Sequence, residues 1–212
     1  MGDFFDKRLS EYDNHQMTCL DSAEKFYLFT ARCLPAGAKS CILDLECGTG
    51  LELERYFMLN LSAKVVGIDL APKMLNALKN KFEDKDLTLI LGSYFDVKFE
   101  SDAFDAVVSV ESLHHFTKAE KIPLYQKNRN ALKSNGYFIL TDYFSLSDSD
   151  EEFQRKELLR LKKLQGISDS EFYHYDTPLT VQHETEALQV AGFSIIDILN
   201  HWEATYTLKA EK

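Results

Sequence analysis

Leu43-Asp44-Leu45-Glu46-Cys47-Gly48-Thr49-Gly50 decides how this chain is read. The stretch closes an apolar run, Cys41-Ile42-Leu43-Asp44-Leu45, short enough for a buried strand. It passes through a turn with two glycines into the apolar stripe Leu51, Leu53 and Phe57. Strand, glycine turn and helix in that order make the first half of a parallel βαβ unit. The pattern repeats downstream. Val65-Val66-Gly67-Ile68-Asp69 reads as a second strand, and Pro72 suits the first turn of a helix whose apolar face is Met74, Leu75, Leu78 and Phe82. Leu87-Thr88-Leu89-Ile90-Leu91 gives a third strand and Phe104-Asp105-Ala106-Val107-Val108-Ser109-Val110 a fourth. Residues 118–133 read as a helix stopped by Ser134-Asn135-Gly136, with Gly136 as a left-handed cap. A fifth strand, Tyr137-Phe138-Ile139-Leu140-Thr141, follows.

Past Tyr143 the pattern changes. Acids at residues 147–150 start a helix through Phe153, Leu158, Leu159 and Leu161, a stripe that reads as core or lid. An irregular aromatic stretch, Phe172-Tyr173-His174-Tyr175-Asp176-Thr177-Pro178, comes next. Thr180 is the expected N-cap of a helix ending at Gly192, and residues 193–199 and 204–209 read as two closing strands. Two helices are expected in the first 35 residues, one with Phe4, Phe5, Leu9 and Tyr12, the other with Phe26, Tyr27, Phe29 and Leu34. Alternating strands and helices imply a parallel sheet covered on both faces.

The 212 residues include 34 Asp or Glu against 24 Lys or Arg, a formal charge of −10. That balance argues against a binder that gains its affinity by neutralising phosphates. Hydrophobic residues at 45% and charged residues at 27% suit an ordinary globular domain. No apolar run approaches the roughly 18 residues of a membrane span, and Met1-Gly2-Asp3-Phe4-Phe5-Asp6 has no basic region followed by an apolar one. The expectation is one soluble, cytoplasmic domain over residues 1–212. Cys19, Cys33, Cys41 and Cys47 form no CxxC pair and read as buried free thiols.

Open parallel sheets bind ligands beyond the carboxyl ends of their strands. Gly48 and Gly50 let backbone approach a ligand there, and Asp69, 19 positions beyond Gly50, can accept both hydroxyls of a ribose. The third glycine of a dinucleotide fingerprint is replaced by Leu53, and Leu51-Glu52 lacks the Lys and Ser or Thr of a phosphate loop. A nucleotide-like ligand without a phosphate chain fits these residues.

These motifs, with Gly92-Ser93-Tyr94-Phe95-Asp96, Phe104-Asp105-Ala106-Val107 and Leu132-Lys133-Ser134-Asn135-Gly136 in order, resemble the class I S-adenosylmethionine-dependent methyltransferases. The likeness is close over residues 35–145 and extends to Leu188-Gln189-Val190-Ala191-Gly192-Phe193. It implies a doubly wound three-layer α/β/α fold, with a mostly parallel seven-stranded sheet and an antiparallel strand near one edge. Residues 1–35 would then be N-terminal helices forming a lid or merely packing, 36–145 a cofactor-binding core, and 146–212 a lid helix, an acceptor segment and the closing strands. The implied cofactor is S-adenosylmethionine, leaving as S-adenosylhomocysteine. Asp44 and the turn of Cys47, Gly48, Thr49 and Gly50 would face its methionine portion, Asp69 its ribose, and Leu70 and Met74 its adenine. Glu111 would line the channel between donor and acceptor. Two positions depart from the family. Ser93, followed by Tyr94, stands where many members have an acid near the adenine amino group. Glu46 replaces glycine or another small residue, where a carboxylate either pairs with the cofactor's ammonium or crowds the pocket; pairing is the expectation.

Methyl transfer needs a general base only when the acceptor must lose a proton. His114 and His115 are the candidates, the alternative being a cap and a packed ring. Tyr143 faces the expected pocket mouth as a catalytic, acceptor-binding or rim group. His174, Tyr175 and Asp176 either line an acceptor pocket or cross the surface. His174 and His183, nine residues apart with no third ligand evident, do not suggest a metal site. Three readings follow: transfer to a small-molecule acceptor; a cofactor-binding module without transfer activity; or methylation of RNA or protein. The last would call for a basic patch from Lys79, Lys81, Lys118, Lys121, Lys162 and Lys163.

Overall fold

The computed structural model describes residues 9–168, 171 and 173–212, so Phe4, Phe5 and Phe172 lie outside the described residues. Two helices, α1 (Leu9–Cys19) and α2 (Ala23–Cys33), precede β1 (Cys41–Leu45), α3 (Leu51–Leu59), β2 (Lys64–Asp69), α4 (Pro72–Lys81), β3 (Asp86–Leu91) and β4 (Phe104–Val110). A 3-10 turn (Leu113–His115), α5 (Lys118–Ala131), β5 (Leu132–Tyr143), α6 (Asp148–Gln165), α7 (Val181–Val190), β6 (Ile195–Trp202) and β7 (Thr205–Glu211) complete the chain. The seven strands form one sheet in the order β3-β2-β1-β4-β5-β7-β6. All neighbours are parallel except β7, which runs antiparallel to both β5 and β6, as the doubly wound expectation required.

Strand alternation divides the core between the two faces. Leu43, Leu45, Val107, Phe138 and Leu140 pack with Leu124 and Tyr125 of α5 and Ala187 and Leu188 of α7. Ile42, Val108 and Ile139 point the other way, onto Leu53 and Phe57 of α3 and Leu75 and Leu78 of α4. Strand order reverses beside β1, so the carboxyl ends of β1 and β4 open onto one crevice. Among the described residues no helix is long and apolar enough to cross a membrane.

Three local expectations are corrected. Helix α5 ends at Ala131 because Leu132 is already extended (φ −70°, ψ 140°), so Ser134-Asn135-Gly136 lies inside β5 and Gly136 is no left-handed cap. A Cβ on Gly136 would stand 3.0 Å from the carbonyl oxygens of Lys133 and Phe104, next to the register shift between Phe104 and Ala106. Close backbone approach explains this glycine. On α6, Phe153 and Leu159 stay exposed while Glu151 and Lys162 are buried. The helix is held by a carboxylate instead, because Glu151 accepts from the Thr180 N–H at 2.8 Å and meets His183 Nδ1 at 2.8 Å. Of the four free cysteines only Cys47 is buried, and Cys19 is exposed.

Candidate functional site

The site is assembled from the ends of four strands. β1 leads into Glu46 and the glycine turn, β2 ends on Asp69, β4 runs into Glu111 and the 3-10 turn, and β5 ends on Asp142 and Tyr143. These meet around a cavity of about 650 Å³ whose wall includes Glu46, Gly48, Asp69, Met74, Glu111, His114, His115, Tyr143, His174 and Asp176. Helix α1 closes one side with Tyr12, His15, Gln16 and Cys19, and the β6–β7 turn supplies Trp202, Glu203, Ala204 and Thr205.

Asp69 organises the donor end. Its Oδ2 accepts from the Gly48 N–H at 2.8 Å and its Oδ1 from the Ala71 N–H at 2.7 Å. Both Gly48 (φ 49°) and Gly50 (φ 74°) are left-handed, so the turn curls onto the acid with Gly50 capping α3. A Cβ on Gly50 would lie 2.5 Å from Leu78 Cδ1 and 3.1 Å from Phe82 Cε2. Gly50→Ala is therefore expected to cost about 2–4 kcal/mol, strain and overpacking together, read as a lower urea midpoint with unchanged slope.

Glu46 also adopts a left-handed conformation (φ 60°), which turns its carboxylate along the cavity wall. Its Oε2 accepts from Ser112 Oγ at 2.6 Å, and Ser112 meets the Tyr94 hydroxyl at 3.2 Å. Burial, then the charge of Asp69, pushes this carboxyl up to about 7, against the pull of Ser112 and His114. Glu111, left-handed at φ 50°, is raised to about 8, by burial first and then by Asp142. The donor end thus holds acids short of compensating positive charge.

The other end is built on His114. Its Nδ1 lies 2.6 Å from Asp142 Oδ1, and Asp142 Oδ2 accepts from the Leu113 N–H at 2.8 Å. Burial alone would lower this imidazole, but Asp142, Glu111 and Asp176 outweigh it and hold it up at about 9. Burial and the neighbouring His114 push His115 down to about 3. Asp176 Oδ1 stands 3.6 Å from His114 Nε2 and 3.3 Å from His115 Nδ1. The segment carrying it is pinned to the 3-10 turn by the Thr177 N–H, which donates to the His114 carbonyl at 3.0 Å.

Residues 42–136 match a family model described as "Methyltransferase domain". Over those residues the chain is similar to a methyltransferase domain. A mouse 18S rRNA (guanine-N(7))-methyltransferase is 33% identical over 90 residues, 42% of this chain and 31% of that protein. The Escherichia coli K12 cyclopropane-fatty-acyl-phospholipid synthase is 29% identical over 99 residues, 47% of this chain and 25% of that one. Human N-acetylserotonin methyltransferase, solved with S-adenosylmethionine, superposes with a TM-score of 0.68 at 17% identity, over 98% of this chain and 56% of its own. The chain thus spans about a quarter to a third of the curated relatives it matches.

The expected site residues separate into two groups. Glu46, Gly48, Asp69, Met74, Glu111, His114, His115, Tyr143, His174 and Asp176 come together on the cavity wall. Asp44 does not reach it: 1% exposed, it hydrogen-bonds the buried Glu52, and both carboxyls are raised, mainly by burial. Cys47 is packed against Gly67, where a Cβ would stand 2.7 Å from its Sγ. Thr49 Oγ1 donates to Asp13 Oδ1, which ties α1 to the glycine turn. Leu70 is 37% exposed, off the wall. Ser93 accepts from the Phe95 N–H at 3.2 Å, and Tyr94 sits behind Glu46 through Ser112. The Tyr175 hydroxyl donates to Gln154 at 2.7 Å and borders an adjoining recess with Tyr143, His174 and Asp176. His114 keeps its place on the cavity wall, with its Nδ1 turned to Asp142. The lysines form no common basic face: Lys121 and Lys162 are buried, Lys118 pairs with Glu186, and Lys81 pairs with Glu54 and Asp13. Asp142, Ser112, Glu52 and His15 escaped the sequence reading; only Asp142 had a usable signal, its place at the end of β5.

Proposed function

We propose that this chain binds S-adenosylmethionine and transfers its methyl group to a small-molecule acceptor, releasing S-adenosylhomocysteine. The observation that carries this reading is the convergence of Glu46, Asp69 and Glu111 on one cavity at the strand ends. The residues fit the cofactor. Asp69 lies on the cavity wall at the end of β2, where a carboxylate can accept from ribose hydroxyls. Glu46, raised to about 7 by burial and then by Asp69, suits an ammonium group that would offset both. Gly48 leaves the turn without a side chain where the methionine portion would pass, and the Met74 side chain offers an apolar surface to the adenine. S-adenosylmethionine supplies an electrophilic methyl group on a sulfonium centre. The chain's own part is to hold the acceptor in line with it, a role for Tyr143, His174 and Asp176 at the opposite end, with Tyr175 behind them. Incubation with the cofactor and an acceptor panel, read by mass spectrometry for a methylated product, tests transfer; binding with no product from any acceptor contradicts it and leaves a binding module.

A macromolecular acceptor is the second reading, favoured by the likeness to the mouse 18S rRNA (guanine-N(7))-methyltransferase. Methylation of RNA at the expense of small acceptors in the same assay would select it.

The raised Glu46 makes cofactor binding pH-dependent. Facing it are Asp69 from β2, Tyr94 beyond β3, His114 from the 3-10 turn and Tyr12 from α1. Protonated below about 7, Glu46 must lose its proton to pair with an ammonium. Affinity is expected to rise about tenfold from pH 6 to pH 8, and Glu46→Gln to flatten this dependence, as measured by calorimetric titration.

A further inference from the structure

We propose that His114, His115 and Asp176 bind one divalent transition-metal cation of the zinc class at the acceptor end of the cavity. One ligand atom from each residue lies within 4.8 Å of the others. The two imidazole nitrogens stand 3.6 Å and 3.3 Å from the same carboxylate oxygen, Asp176 Oδ1. A hydrogen bond between nitrogen and oxygen closes to about 2.9 Å. Two ligand atoms about 2.0–2.1 Å from a tetrahedral zinc ion are instead separated by about 3.4 Å. The spacing therefore matches atoms that share a cation better than atoms that share a proton.

The surroundings are those of a metal site. Asp142 Oδ1 takes the Nδ1 side of His114, which turns Nε2 toward Asp176, and the Leu113 N–H fixes the other oxygen of Asp142. An imidazole oriented by a buried carboxylate is the common outer support of a metal-ligating histidine. Thr177 bonds to the carbonyls of both histidines, at 3.0 Å and 3.4 Å, and so fixes the acid's segment against the turn. The neighbouring set Glu111, His114 and Asp142 is the weaker candidate, because the 2.6 Å hydrogen bond already occupies one atom of two members.

Two imidazoles and one carboxylate are the ligand class of catalytic zinc and of non-haem iron, sites that keep a position open. Here that position faces the cavity near Tyr143 and His174. It would take an anionic oxygen or a neutral nitrogen of a small molecule, which names the acceptor class: one with a metal-binding donor atom. The metal site stands without methyl transfer, and only this assignment of acceptor rests on that reading.

Titration of the full chain with Co²⁺ tests the site. The expected result is the visible absorption of four-coordinate cobalt, saturating at one equivalent and abolished by excess Zn²⁺. Asp176→Asn, at a half-exposed position, and His115→Ala are each expected to weaken binding at least tenfold, while His183→Ala leaves it unchanged. Circular dichroism verifies that each variant is folded. Absence of saturable absorption, or saturation unaltered by Asp176→Asn, overturns the proposal. Calorimetry with S-adenosylmethionine on the same sample separates failure of the metal site from failure of the cofactor reading.

Discussion

Replacing Asp69 by Ala is expected to weaken S-adenosylmethionine binding by at least about 100-fold, since two lost hydrogen bonds to a charged acceptor amount to roughly 3–6 kcal/mol. The effect is large because the side chain does two things at once. It is proposed to hold the ribose, and it also receives the Gly48 and Ala71 N–H groups that shape the turns after β1 and β2. Its removal leaves two inward-facing donors unmatched. Unfolding free energy should therefore fall as well, by about 2–6 kcal/mol at 1–3 kcal/mol per unsatisfied group. Asp69→Asn separates the contributions. It preserves shape and one acceptor but turns an amide NH₂ toward one of those donors, so affinity should fall between wild type and Asp69→Ala. Calorimetric titration gives the affinities, and urea unfolding the stabilities.

The largest effect on stability alone is expected away from the cavity. Glu184 of α7 is fully buried, and its carboxylate accepts from Lys121 Nζ at 2.5 Å and from the Tyr125 hydroxyl, both on α5. The Lys121 side chain is only 2% exposed. Glu184→Ala would leave that ammonium buried without its counter-charge, a change that costs about 3–5 kcal/mol. Replacing both partners by apolar residues, Lys121→Met with Glu184→Leu, should recover most of the loss, because the desolvation penalty goes with the charges. Urea midpoints of the single and double variants measure this. A single variant as stable as wild type would show that the pair contributes nothing between α5 and α7.

Strand positions were legible wherever burial was two-sided. β1 and β4 lie between other strands with helices over both faces, so their apolar runs are nearly unbroken and their limits agree with the sequence reading. β5 was read short because Ser134-Asn135-Gly136 carries the residues of a helix stop, while the need for a side-chain-free position beside Phe104 is a tertiary fact. The core reading of the α6 stripe failed at Phe153 and Leu159, which are exposed, while Leu158 and Leu161 are half-buried. Leucine and phenylalanine at helical spacing say that a helix can bury a face, whereas this one is anchored by Glu151 and Asp150. In the site, Asp69 was identifiable from its place at the end of β2, whereas Glu46 and Glu111 were identifiable only through the family resemblance. Partnerships were not. Asp44 with Glu52, His114 with Asp142 and His115 with Asp176 join residues between 8 and 61 positions apart, and no local pattern encodes which acid a given side chain will meet.

The wall formed by α1 was the least legible part. His15, Gln16 and Cys19 show no periodic or motif signal, yet they face the cavity because Asp13 reaches Thr49 and Lys81 and draws the helix across the glycine turn.

Calorimetric titration of the chain with S-adenosylmethionine at pH 8 tests the central claim most directly, since it asks whether the cavity at the strand ends is a cofactor site. Saturable one-to-one binding, lost in Asp69→Ala and reduced in Glu46→Gln, is the predicted result. No saturable heat with either S-adenosylmethionine or S-adenosylhomocysteine, or binding indifferent to Asp69→Ala, would contradict it.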